Sequence, residues 1–128
     1  MELWVWYVLV GLVWGGSNPL LKRGASSLTS VPPYKWAGPL GGVLAETVHL
    51  FTTPSYLLPF AANQGGSLLF LVCLGNAPLS DAVPIVNALT FAATALMGMA
   101  LGEPVSQNYP LTFAGMALVS LGIYLCVS

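Results

Sequence analysis

Neutral polar residues stand inside long apolar runs, among them Ser17, Asn18, Asn63, Gln64, Ser67, Asn87, Thr90 and Ser120. Their amides and hydroxyls can donate and accept hydrogen bonds, but they carry no charge. A carrier that moves protons needs a group that titrates within the membrane. The interiors of these runs hold no Asp, Glu, Lys, Arg or His, which argues against proton coupling. Two uses remain. The residues can bond helix to helix, at about 0.6 kcal/mol per bond, or line a path or pocket for a headgroup or small metabolite. A helix rises ~1.5 Å per residue, which puts Asn18 about 5 Å and Asn63 about 10 Å from the basic end of the runs. Ser67 falls near the middle and Asn87 in the opposite half. The expectation is a string of polar groups through a bundle rather than one cluster.

Other chemistry is missing. The sequence offers no Ser-His-Asp set, no paired carboxylates and no phosphate-cradling loop, so we expect no enzyme activity and no cofactor. His49 is the one histidine and has no second ligand near it in sequence, so no metal site is expected. Cys73 and Cys126 match no metal spacing and read as small buried hydrophobes. Three basic residues make no nucleic-acid surface.

The elements that carry these residues follow from composition. Of 128 residues, 56% are hydrophobic and 5% charged, against about 25% charged in soluble domains. Mean hydropathy is +0.81. This is an integral membrane protein, all-α, because backbone groups in lipid must bond within their own segment. A span needs roughly 20 apolar residues, and the sequence predicts a four-transmembrane-helix bundle with spans at about 3–21, 56–77, 82–101 and 111–127. Glu2 precedes the first run and no basic residue does, so the first run reads as a retained span rather than a signal peptide.

Thr53-Pro54 predicts a cap and first turn for span two, and Ser80 or Asp81 a cap for span three. Gly102 reads as a helix stop. Pro59 and Pro19 are candidate bends, and Ser17 and Asn18 are placed to mend the backbone bonds that Pro19 leaves open. The first connection is a loop by composition through Pro32-Pro33. A short helix follows at about 41–52, too short to span. Leu44, Val48 and Phe51 share one face of it, and Glu46 and His49 another. We expect it to lie in the interface or dock on a partner. Lys22, Arg23 and Lys35 all lie in this connection, which puts it on the cytoplasmic or matrix side and both termini opposite.

Small residues recur at four-residue spacing: Gly11 with Gly15, Gly98 with Gly102, Ala88 with Ala92. Such pairs let helices pack closely. So many small faces on four helices imply contacts beyond the chain, either with itself as a dimer or with other membrane subunits, besides lipids.

A resemblance adds to this. Trp14-Gly15-Gly16-Ser17-Asn18-Pro19-Leu20-Leu21-Lys22-Arg23 carries most of it. Further matches are Tyr56-Leu57-Leu58-Pro59-Phe60 with Asn63-Gln64 and Gly66-Ser67-Leu68-Leu69, then Ala82-Val83-Pro84-Ile85 with Asn87 and Leu89. Gly98 with Ala100-Leu101-Gly102-Glu103, and Ala114-Gly115-Met116 before Gly122-Ile123, complete the set. In this order they resemble the transmembrane protein 234 family, which is similar to the drug/metabolite transporter superfamily. The resemblance implies a four-span fold and, through small multidrug carriers and lipid-linked sugar flippases, a dimer that transports. The small multidrug carriers hold a carboxylate in their first span, and Val13-Trp14-Gly15-Gly16-Ser17 has none. A non-catalytic accessory or structural subunit of a larger membrane complex is therefore the first expectation, with mitochondrial inner-membrane complexes as one fitting setting. A transporter or flippase-like dimer is the second.

Overall fold

A computed structural model describes residues 2–104 and 108–128. The middle of the link between the third and fourth predicted spans, 105–107, lies outside them. The described chain is helical, with no strand. Its helices are α1 (Leu3–Gly24), α2 (Gly41–Thr52), α3 (Pro54–Leu74), α4 (Leu79–Ala100) and α5 (Tyr109–Val127). The first connection is less open than its composition predicts. Ala25–Ser30 and Lys35–Leu40 form short 3₁₀ segments. Ser26 Oγ donates to the Arg23 carbonyl and Ser30 Oγ to the Ser27 carbonyl, each at 2.7 Å. The second segment breaks at Gly38, whose φ of +57° suits a residue without Cβ.

Among the described residues three helices, α3, α4 and α5, are long and apolar enough to cross a membrane. The first predicted span, α1, is not among them, although it has 22 residues. The cause is its composition: Trp, Gly, Ser, Asn and Pro dilute its hydropathy, and it runs on through Lys22 and Arg23 to Gly24. Helix boundaries shift elsewhere for local reasons. α3 ends at Leu74, because Gly75 and Asn76 turn back onto the Leu71 and Cys73 carbonyls. Pro78, not Ser80 or Asp81, stands at the N-cap of α4; Ser80 Oγ instead donates to Asp81 Oδ1 at 2.8 Å. Thr53 stands at the N-cap of α3 with Pro54 in the first turn, but its hydroxyl donates back to the His49 carbonyl at 2.6 Å.

α1 is the central element. It packs along both α3 and α4, which touch each other little. Toward α4 its contact stripe is Gly11, Gly15, Asn18 and Lys22, at heptad-like spacing. A Cβ at Gly11 would lie 2.6 Å from Leu89 Cβ, and one at Gly15 would collide with Ala93 Cβ and the Thr90 carbonyl. Toward α3, Gly66 lies beneath Trp14, and Gly24 backs onto Ser55 and Tyr56. Pro59 deprives the Ser55 carbonyl of its usual N–H partner four residues on. Glycine at 24 therefore lets the end of α1 settle against an interrupted turn of α3. At the other end Tyr7, Val10, Cys73, Ala82, Ile85 and Val86 form the buried core.

Gly98 and Gly102 are not a helix-packing pair within the chain. Gly102 has φ +78° and no neighbour for a Cβ within 4 Å. Its N–H donates to the Met99 carbonyl and the Glu103 N–H to the Gly98 carbonyl, each at 3.0 Å. These two bonds are a Schellman cap, and the left-handed residue it requires explains the glycine. Ala88 is buried and Ala92 half-buried; both face the seam between α4 and α5. No residue of α5 is buried, and Cys126 is exposed on it, contrary to the expectation of a buried thiol.

Gly15→Leu should therefore destabilise the protein by about 1–3 kcal/mol, the usual cost of overpacking. Gly115→Ala, where nothing lies within 4 Å, should cause no loss of stability. Thermal unfolding in detergent, followed by circular dichroism, compares the two.

Candidate functional site

The backbone arrangement brings four helix-borne side chains together near the basic end of α1. Ser17 and Asn18 come from α1, Asn63 from the middle of α3 and Thr94 from α4. Asn63 Nδ2 donates to Ser17 Oγ at 2.8 Å and to Asn18 Oδ1 at 3.3 Å. Asn18 Nδ2 donates to Thr94 Oγ1 at 3.3 Å. The Ser17 hydroxyl donates to the Trp14 carbonyl at 3.0 Å. Trp14 Nε1 donates across to the Asn63 carbonyl at 3.1 Å, and its ring rests 5.2 Å from Phe70. One amide–amide–hydroxyl chain thus ties α3 through α1 to α4.

The geometry has an inside and an outside. Ser17 is buried and Asn63 half-buried, while Asn18 is exposed. Asn18 bridges α3 and α4 on a face that neither helix covers. Below it, Lys22 Nζ lies 3.1 Å from Glu103 Oε2. The Schellman cap of α4 directs Glu103 to this position. Lys22 is 72% exposed, so the pair contributes about 0.2–1 kcal/mol in water. Arg23, next in sequence, and Lys35 in the first connection are also exposed.

The remaining candidates lie elsewhere. Thr90 is buried and donates to the Val86 carbonyl of its own helix at 2.8 Å. Ser67 is half-buried and takes no part in the bridge. Gln64 and Asn87 are exposed, on the outer sides of α3 and α4, and neither amide has a hydrogen-bond partner among the described residues. So the polar residues are neither one string nor one cluster. Three of them converge, one bonds its own backbone, and two amides face outward. Ser17 does not restore the bond that Pro19 removes. That bond belongs to the Gly15 carbonyl, and the hydroxyl goes to Trp14 instead.

Sequence reasoning missed Trp14, Gly66 and Thr94 as parts of this site. Trp14 and Gly66 were visible as members of polar, glycine-bearing stretches. Thr94 gave no signal, since a lone threonine in an apolar run usually bonds its own helix. His49 also has a partner: its Nε2 lies 2.8 Å from Ser27 Oγ, which ties α2 to the first 3₁₀ segment.

Comparison with known proteins fits this frame. The pattern of the family described as "Putative transmembrane family 234" matches residues 7–127, which include α3, α4, α5 and nearly all of α1. The chain belongs to the transmembrane protein 234 family. It is 42% identical to a transmembrane protein 234 homolog of Dictyostelium discoideum over 121 residues, covering 94% of this chain and 91% of the relative. It is 38% identical to a homolog from Anopheles gambiae over 119 residues, covering 93% and 81%. No solved structure matches. As a member of this family with several apolar helices, the chain is an integral, multi-pass membrane protein.

Asn63→Leu removes the donor shared by Ser17 and Asn18, and should lower stability by about 0.6–1.7 kcal/mol. Gln64→Leu, one residue on, should change it by less than a third of that. Detergent melting curves of the two variants make the comparison.

Proposed function

We propose that this chain is a non-catalytic structural or accessory subunit of a larger membrane assembly, crossing the bilayer four times with α1 as a buried first span. The observation that carries the reading is the outward placement of Gln64 and Asn87. Gln64 stands ten residues into α3 and Asn87 eight into α4, about 15 Å and 12 Å along their helices. Hydrocarbon offers an amide no partner. Polar side chains at such depths normally face protein rather than lipid. A neighbouring subunit that presents hydroxyls or amides would satisfy both.

The surface of α2 supports the same reading. Leu44, Val48 and Phe51 are all exposed, as is Trp36 in the preceding 3₁₀ segment. A short helix with an outward apolar face and an interfacial tryptophan suits the membrane boundary. There it would hold the first connection against a lipid surface or a partner.

A second reading, a transporter-like dimer without a membrane carboxylate, draws on one feature. Asn18 is exposed while it bridges α3 and α4, so a polar solute could reach it. The resemblance to drug/metabolite transporters adds to this reading, and the inward bonding of Ser17 and Asn63 counts against it.

Purification from native membranes in mild detergent separates the two. The subunit reading expects co-migration with partner proteins at fixed stoichiometry. It also expects Gln64→Leu/Asn87→Leu to release the chain from them without altering its helicity. A homodimer free of other subunits that moves solute in liposomes would overturn it.

A further inference from the structure

Among the described residues α5 meets the rest of the protein chiefly along α4, and it does not close the seam. Two apolar cavities of ≈ 520 Å³ and ≈ 570 Å³ lie between the helices. Both are lined by Ala92, Ala95, Thr112 and Met116, so they form one trough. It runs from Glu103 and Tyr109 at the basic end to Ile123, about 21 Å along α5 at 1.5 Å per residue. Small residues make the space: Ala88, Ala92 and Ala95 on α4 face Gly115 on α5.

Three properties identify the occupant. First, the trough is mostly apolar along its length, and Glu103 and Tyr109 stand at one end of it. Second, it is narrow. The backbones of α4 and α5 still approach within 8 Å, so the trough is a groove beside two touching helices rather than the full gap that a missing helix of about 10–12 Å diameter would leave. Third, Lys22 reaches the polar end, 3.1 Å from Glu103 and largely exposed. An ammonium has three donors, so Lys22 can hold Glu103 and a phosphate oxygen together. Arg23, next in sequence and exposed, adds a second cation at this end of α1. An apolar void within a bilayer admits no water and forfeits the contacts of its lining.

We propose that the α4–α5 trough is a phospholipid site, with one acyl chain between the helices and the phosphate on Lys22. The hydrocarbon core is about 30 Å thick, so a chain entering from the basic-side leaflet reaches past Met116. The inference rests on α4 and α5 spanning the membrane and is independent of the subunit reading. Lipid bound here would act as packing for the one helix that the protein itself leaves bare.

The test uses the full chain in liposomes containing a phosphatidylcholine with a photoactivatable acyl chain. Crosslinked peptides are mapped by mass spectrometry. The expected result is labelling concentrated on 88–99 and 111–120, well above the outer face of α3 at Leu68, Leu71 and Val72. Ala92→Leu/Ala95→Leu should cut trough labelling roughly ten-fold, a change of about 1.4 kcal/mol in occupancy, while α3 labelling stays constant. Lys22→Gln should lower it to a smaller extent. Uniform labelling of all outward faces in the unsubstituted protein would overturn the proposal, even if the filled variant failed to fold. Unchanged labelling in a folded filled variant would also overturn it, as would crosslinks joining two copies of the chain across α4 and α5.

Discussion

α1 carries serine, asparagine and four glycines. It lies between α3 and α4, and the rest of the structure depends on that placement. Its glycines set how near the neighbours come, and its amides and hydroxyl bind the neighbours once they are near. Neither effect works without the other. A hydrogen bond between helices needs side chains of this length within about 3 Å, and the close approach at Gly11 and Gly15 brings Asn18 within reach of Thr94.

The α1–α4 seam is graded along its length. At the far end it is dry and apolar around Tyr7, Val10 and Val86. In the middle the packing is glycine against Leu89, Thr90 and Ala93. Asn18 and Thr94 follow, and then the ion pair of Lys22 and Glu103. This order runs from groups that lipid tolerates to groups that water must reach. It also explains why α1 and α4 run parallel. Both carry their polar ends to the same side, and the Schellman cap at Gly102 folds Glu103 back to meet Lys22. α5 has no such device, and its contacts are correspondingly few.

Much of this was legible in the sequence. The all-helical class, the runs that became α3, α4 and α5, and the short helix at 41–52 follow from hydropathy and length alone. The site was legible only in its ingredients. Ser17, Asn18 and Asn63 could be named as polar residues within apolar runs. Depth alone does not say which face of a helix each occupies, so it could not separate Asn63, which turns inward, from Gln64 beside it. The glycine pairs show the same limit. Gly11 with Gly15 and Gly98 with Gly102 have identical spacing, yet the first pair lies in a helix contact and the second ends at a left-handed cap. Thr94 and Gly66 take their roles from α1, which is distant in sequence.

The central claim is that α1 crosses the membrane as the protein's inner helix, although its composition is the least apolar of the long helices. Sidedness tests it most directly. With Cys126→Ser in the background, Glu2→Cys and Thr29→Cys would be labelled separately in sealed vesicles by a membrane-impermeant thiol reagent. The account predicts that the two sites react from opposite sides, Thr29→Cys from the side that carries Lys22, Arg23 and Lys35. Labelling of both from the same side would contradict it, because α1 would then enter the protein without crossing the bilayer.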